Sequence, residues 1–165
     1  MKKEIIQLEQ KNILCLTGHK HTSFEEECNQ DTAIIGPLVQ RYWQEGFAEA
    51  IPQRANPGHT FCLYTDYTSD YKGTYSFNIG EETSHNDVPQ NARLISIPAG
   101  RYAKFTTDPG PMPEVVIKAW QEIWAMEDAG ELGGERLYGI DFERYDERAQ
   151  DPKATVLEIY LDLKD

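Results

Sequence analysis

The sequence predicts an α+β fold made of a duplicated β-α-β-β module, with an antiparallel sheet, helices on one face and a concave groove on the other. Segments with a hydrophobic period of two, typical of strands, surround two segments with a helical period. The order strand, helix, strand, strand occurs twice, over about residues 1–80 and 92–165. With 165 residues in total, the chain is expected to form a single domain.

The first half begins with a short apolar run at residues 13–16, which suits a strand. A helical pattern follows, because Leu38 and Tyr42 are four residues apart, as are Val39 and Trp43. These two pairs predict one apolar helix stripe.

A β-hairpin is predicted after this helix, where the hydrophobic period changes to two. Alternation in its first strand separates Phe61 and Leu63 from Cys62 and Tyr64. Its second strand follows the polar turn 69–73, and its side chains on one face are Tyr75, Phe77 and Ile79.

The second half repeats this order. Residues 94–97 and 102–106 supply strand material, and a helix begins near Pro113 and stops at glycines from Gly130 onward. The apolar side of this helix carries Val116, Trp120, Ile123 and Trp124. Residues 137–145 and 155–163 predict the last hairpin.

One carboxylate, Glu143, lies among aromatic residues in the segment 138–145. Strand alternation puts Glu143 and Tyr145 on one face, and Ile140 and Phe142 on the other. The apolar pair is expected to lie under the helices, which leaves Glu143 on the open face. A carboxylate ringed by aromatic side chains is a natural socket for an organic cation.

Aromatic side chains that could line such a site are frequent, with nine tyrosines and six phenylalanines in the chain. The candidate ligand-binding residues are Glu143, Tyr145, Tyr64, Tyr75, Phe77 and Trp124. Trp124 is expected at the groove rim because it lies near the helix end, whereas Trp120 is expected in the core.

Charge and motifs narrow the function further. Acidic residues outnumber basic ones by 28 to 16, and the net charge of −12 disfavours nucleic acid and anionic membranes as direct partners. No phosphate-binding, dinucleotide or nucleophile motif occurs, so no cofactor and no catalytic residue are predicted. His19 and His21 indicate a metal site only weakly. The amino terminus lacks a long apolar run, and we expect a cytoplasmic protein.

Three segments resemble the GyrI-like effector-binding superfamily. They are the tryptophan-containing helix at 119–124, the segment 138–145 and the closing strand at 156–163. Among its branches, the chain looks most like the stand-alone effector-binding proteins of integron gene cassettes. The resemblance implies paired β-α-β-β units with a concave groove that binds hydrophobic, drug-like organic cations. It also implies that Glu143 is the acidic residue of that groove and that Tyr145 belongs to the same site.

The family's transcription regulators join this domain to a helix-turn-helix domain, and we expect this chain to act without one of its own. It would then sequester or carry a cation, or signal through a separate DNA-binding regulator. Two alternatives remain open. One is a small hydrolase of the same superfamily, with Glu143 in acid-base chemistry. The other is a protein inhibitor whose acidic surface docks on a DNA-handling enzyme.

Overall fold

The computed structural model describes residues 1–18 and 21–165. Its strands are β1 (Lys2–Leu8), β2 (Lys11–Thr17), β3 (Thr60–Thr65), β4 (Ser76–Glu82), β5 (Ala92–Ile97), β6 (Gly100–Thr106), β7 (Asp141–Tyr145) and β8 (Glu158–Asp162). Its helices are α1 (Phe24–Glu27), α2 (Ile35–Gln44), α3 (Phe47–Ala50) and α4 (Glu114–Asp128), with a 3₁₀ turn at Glu147–Ala149. The predicted α+β class is confirmed.

The strands form one antiparallel sheet in the order β1-β6-β8-β7-β3-β4-β2-β5. The segments β2-α2-β3-β4 and β6-α4-β7-β8 are the two predicted β-α-β-β modules. In each module the last strand lies between the first and the second. The modules meet where β7 pairs with β3, and the sheet order is symmetric about that junction. The duplicated module is therefore confirmed.

The strands that open the two halves, β1 and β5, have a role that the sequence did not reveal. β1 pairs with β6 and β5 pairs with β2, so each half lends a strand to the outer edge of the other half. Residues 94–97 and 102–106 were both predicted as strand material, and they belong to β5, at one edge of the sheet, and β6, next to the other edge. Alternation indicates that a segment is a strand, but not which distant strand it joins.

Both long helices cover the same face of the sheet. Trp120 and Ile123 of α4 pack in a cluster with strands of the second half, and Leu38 and Tyr42 of α2 pack in a cluster with strands of the first half. Tyr64 packs against both clusters, which places the two helices on one side. This arrangement leaves space between α2 and α4 above the middle of the sheet.

The opposite face is closed by the sheet itself. Leu63 and Phe142 are at most 1% exposed there, and no residue of a helix belongs to their cluster within the described part of the chain. Leu8 of edge strand β1 and Ile97 of edge strand β5 belong to that same cluster, so the sheet curls strongly. The expectation of an open groove on this face is wrong, because the curl buries it.

Candidate ligand-binding cavity

A cavity of about 1040 Å³ lies between α2 and α4, above β3, β4 and β7. Its floor comes from alternate side chains of the three strands, namely Cys62, Tyr64, Phe77, Ile79, Glu143 and Tyr145. Its side walls come from the helices, with Ile35, Val39 and Trp43 on α2 and Val116, Trp120 and Trp124 on α4. This volume is at the upper end of the range usual for small-molecule sites.

Glu143 lies on the helix-covered face of the sheet, inside this cavity. Its backbone is opposite Cys62 of β3 and Ile159 of β8, and both of those side chains pack towards the helices. The predicted alternation along the strand is correct, but the assignment of faces is wrong. Phe142 points into the core closed by the curled sheet, so its apolar character did not mark the face under the helices.

The carboxylate of Glu143 is buried and held by three neutral donors. The Tyr64 hydroxyl and the Trp120 indole Nε1 each donate to Oε1 at 2.7 Å, and the Tyr145 hydroxyl donates to Oε2 at 2.7 Å. The residue is 3% exposed. Burial raises the pKa of Glu143 above its ordinary value, while these three hydrogen bonds favour the charged form and oppose the rise.

No lysine, arginine or histidine of the described residues forms an ion pair with Glu143. Its donors orient the carboxylate without cancelling its charge. A negative charge in an apolar cavity attracts a cation more strongly than the same charge in water. The site can therefore hold a cationic group against the floor.

The ring of Tyr64 is the centre of the aromatic wall. Its centroid is 5.3 Å from that of Tyr75, 5.5 Å from Phe77 and 5.2 Å from Trp120, and in each pair the rings meet edge to face. Such contacts fix the rings relative to one another. The side chains around Glu143 are thus preorganised.

Trp124 lies farther out along α4, with rings on two sides. Tyr71 stacks on it with centroids 5.2 Å apart and 9° between the planes, and Phe24 meets it edge to face at 5.0 Å. The Tyr71 hydroxyl also donates to Asp128 at 3.0 Å. These contacts tie the β3–β4 loop to α4 at the side of the cavity.

The cavity opens to solvent through an apolar rim. Its exposed members among the lining residues are Phe24, Trp43, Met112 and Ile117. Large exposed apolar groups that surround a cavity suit the entry of an apolar ligand.

All six candidate residues from the sequence line this cavity. Their role in binding stays a prediction. The sequence missed Trp43 and Phe24 as lining residues, and it placed Trp120 in the core alone. Trp120 does pack in the core, but its indole N–H also reaches Glu143. A buried indole N–H needs a hydrogen-bond acceptor, and this requirement could have indicated from the sequence that Trp120 contacts a polar group.

Arg136 is the basic residue among the side chains that line the cavity, and its charge is compensated. Its side chain is 1% exposed and forms ion pairs with Asp141 at 2.5 Å and Glu127 at 2.9 Å. The Tyr67 hydroxyl adds a hydrogen bond of 2.8 Å to Asp141. Arg136 therefore supports the wall and leaves the charge of Glu143 available.

The weakly indicated histidine site includes His19, which lies outside the described residues. Within residues 1–18 and 21–165, no group of three or more histidine, cysteine or acidic side chains could hold a metal ion. None of the helices in that same part of the chain is long and apolar enough to cross a membrane.

The duplicated sheet and the cavity between its two helices define the GyrI-like class of effector-binding domains. Residues 4–162 match the family of Cass2, the integron-associated effector binding protein. The chain belongs to this family.

Relatives agree with this assignment. The chain is 31% identical over 131 residues to YobU of Bacillus subtilis (strain 168), which carries the name of a transcriptional regulator protein, and the match covers 79% of each chain. The integron cassette protein VCH_CASS2 of Vibrio cholerae superposes with a TM-score of 0.72 at 22% identity, over 98% of this chain and 95% of that one. SAV2435, whose structure is bound to tetraphenylphosphonium, gives a TM-score of 0.75 at 18% identity, over 99% and 94%. The two structural likenesses show a shared fold.

Proposed function

We propose that this protein binds hydrophobic organic cations in the cavity, with Glu143 as counter-charge and aromatic side chains as walls. The observation that carries the proposal is the state of Glu143. It is 3% exposed, held by three neutral donors, and free of any ion pair among the described residues. Tyr64, Trp120 and Tyr145 contact Glu143 directly, and Tyr75, Phe77 and Trp124 line the same cavity.

The hydrogen bonds to Glu143 also favour one type of cation. A carboxylate has about four acceptor positions, and three donors already occupy most of them. A primary ammonium group needs several acceptors once it leaves water, whereas a quaternary ammonium or a phosphonium needs none. The cavity thus suits diffuse cations that interact through charge and ring faces. The tetraphenylphosphonium bound to SAV2435 is a ligand of this type.

Tetraphenylphosphonium and tetraphenylborate test this proposal, because they have nearly the same shape and opposite charge. Their affinities for the wild-type protein and for Glu143→Gln are measured by tryptophan fluorescence and calorimetry. We expect the wild type to bind the phosphonium and reject the borate. We expect Glu143→Gln to weaken phosphonium binding at least tenfold, which is about 1.4 kcal/mol. Equal affinity for both ions, or an unchanged affinity in the variant, overturns the proposal.

Binding without a covalent change separates this function from the hydrolase alternative. A hydrolase would release product from ester or epoxide substrates, and that turnover would disappear in Glu143→Gln. The tyrosines around Glu143 are poor proton donors, because burial raises the pKa of Tyr64 and of Tyr145 well above the usual value. Product release by the wild type that is lost in Glu143→Gln would overturn passive binding.

Sequestration and signalling differ in what they require of other proteins. Sequestration needs only the cavity. Signalling through a separate DNA-binding regulator requires a complex whose stability changes with ligand, because a ligand shifts an equilibrium only by its differential affinity. YobU carries the name of a regulator, so such a complex is worth testing. Gel filtration of this protein together with a DNA-binding regulator, with and without tetraphenylphosphonium, measures whether the ligand changes the stability of the complex.

A further inference from the structure

We propose that the cavity accepts ligands with two cationic groups, one at Glu143 and the other at Glu27. This inference rests on the proposed function and adds a second counter-charge to it. Glu27 is the last residue of α1 and lines the same cavity. It is the partly exposed member of the pair, whereas Glu143 is buried.

The carboxylate of Glu27 is fixed by neutral donors, as that of Glu143 is. Its Oε1 accepts from the backbone N–H of Ile35 at 2.9 Å, and its Oε2 accepts from the backbone N–H of Ile34 at 2.9 Å. The Thr22 hydroxyl donates to the same Oε2 at 2.5 Å. These bonds hold the acid at the start of α2 without neutralising it by a cation.

Glu27 and Glu143 differ from the other charged side chains that line the cavity, which form ion pairs. Arg136 is compensated by two carboxylates, and Asp146 is compensated by Arg148 at 2.7 Å. Neither Glu27 nor Glu143 forms an ion pair with a basic side chain in the described ranges 1–18 and 21–165. The lining therefore carries two carboxylates that have no basic partner among the described residues.

Two tyrosines lie between the acids. Tyr64 donates to Glu143, and its ring centroid is 5.3 Å from that of Tyr75. Tyr75 in turn pairs through its backbone with Thr22, in two hydrogen bonds of 2.9 Å, and Thr22 donates to Glu27. Both acids also contribute to the raised pKa of Tyr75, after burial, which agrees with a position between them.

This order places the acids at the two ends of an aromatic row. An apolar chain with a cation at each end can lie along the rings and bring one cation to each acid. A second charge normally weakens binding to an apolar cavity, because that charge loses its water. A carboxylate at the matching position offsets this loss, and the flat rings between the acids accommodate the chain.

A chain-length series tests the inference without any substitution. Bis-quaternary alkanes from hexamethonium to decamethonium and beyond are compared with alkyltrimethylammonium ions of the same chain lengths. We expect the affinity of the single-charge series to rise steadily with length, and that of the double-charge series to pass through a maximum where both ends reach an acid. Two series that rise in parallel overturn the inference.

Glu27→Gln provides the second test, with decamethonium and decyltrimethylammonium as ligands. We expect this variant to weaken decamethonium binding about fivefold or more beyond any change in decyltrimethylammonium binding. Glu26→Gln is the matched control, because it removes the same charge from a neighbouring residue that does not line the cavity. Equal effects of Glu27→Gln on the two ligands, or equal effects of the two variants on decamethonium, overturn the inference.

The two proposals fail in different ways. If decyltrimethylammonium binding does not depend on Glu143, the proposed function itself is wrong. If that dependence holds but decamethonium ignores Glu27, only the two-cation inference is wrong. Retained binding of decyltrimethylammonium by Glu27→Gln shows that the variant is folded.

Discussion

The indole Nε1 of Trp120 donates a hydrogen bond to Oε1 of Glu143 at 2.7 Å. This bond joins the core of the second half to the floor of the cavity, because Trp120 also packs with Ile123 and Leu161. The same tryptophan thus stabilises the fold and supports the charge of the site.

Replacing Trp120 by Phe should change both the pKa of Glu143 and the stability of the fold. The variant loses one donor that favours the charged carboxylate, so we expect the pKa of Glu143 to rise further. Tetraphenylphosphonium binding should then weaken at a higher pH than in the wild type. Loss of the bond and of ring volume should lower the free energy of unfolding by about 2 kcal/mol.

Trp124→Phe is the control for this substitution, because Trp124 lines the cavity without a hydrogen bond to Glu143. Binding is followed by calorimetry across a pH series, and stability by urea unfolding. An identical pH profile in Trp120→Phe and the wild type would show that the indole does not support the charge.

Glu143→Gln should alter stability in a pH-dependent way. Burial raises the pKa of Glu143 in the folded protein, so the folded state holds its proton at pH values where the unfolded chain has lost it. The contribution of Glu143 to stability is therefore largest at low pH and is lost as pH rises through the folded pKa. We expect Glu143→Gln to gain stability relative to the wild type as pH increases, measured by urea unfolding at several pH values. A difference that does not vary with pH, or that shrinks as pH rises, contradicts this expectation.

Outside the cavity, the stability contribution of Asp162 should depend on pH in the same direction as that of Glu143. Burial and the neighbouring Asp141 raise its pKa to about 6, and its Oδ2 atom has no hydrogen-bond partner among the described residues. We expect Asp162→Asn to raise the free energy of unfolding by about 1–3 kcal/mol at pH 8 and by roughly half as much at pH 5. Unfolding in urea at the two pH values measures this. Destabilisation at both values would mean that the carboxylate has a bonding role that the asparagine cannot replace.

Trp124→Leu tests the aromatic wall apart from Glu143. Leucine keeps an apolar side chain but removes the ring face, which contributes about 1 kcal/mol to cation binding. We expect tetraphenylphosphonium affinity to fall about fivefold while the fold and the pH profile of binding stay unchanged. Unchanged affinity would place Trp124 outside the binding surface.

The strand patterns allowed much of this architecture to be predicted. Alternation separated Tyr64 from Leu63 and Glu143 from Phe142, and the repeated element order predicted the duplicated module. It could not predict which face the helices cover, because both faces of the sheet are buried and both carry aromatic residues. Phe142 looked like a residue under a helix, whereas the curl of the sheet is what buries it.

Two further lining residues, Trp43 and Phe24, could not be predicted from the sequence. Trp43 and Phe24 come from segments that are distant from Glu143 along the chain, and only the tertiary fold brings them to the same cavity. A single sequence specifies which residues share a helix or strand face, but not how remote faces converge. The sequence assigned Trp43 to an apolar helix stripe, but it did not indicate that Trp43 lines the cavity.

The affinity for tetraphenylphosphonium as a function of pH shows whether the charge of Glu143 drives binding, because this cation does not titrate. It is measured for the wild type and for Glu143→Gln between about pH 4 and 8. We expect wild-type affinity to be highest at neutral pH and to fall as Glu143 takes up a proton, and the affinity of Glu143→Gln to be low and nearly constant. Parallel profiles for the two proteins would contradict the assignment of Glu143 as the counter-charge.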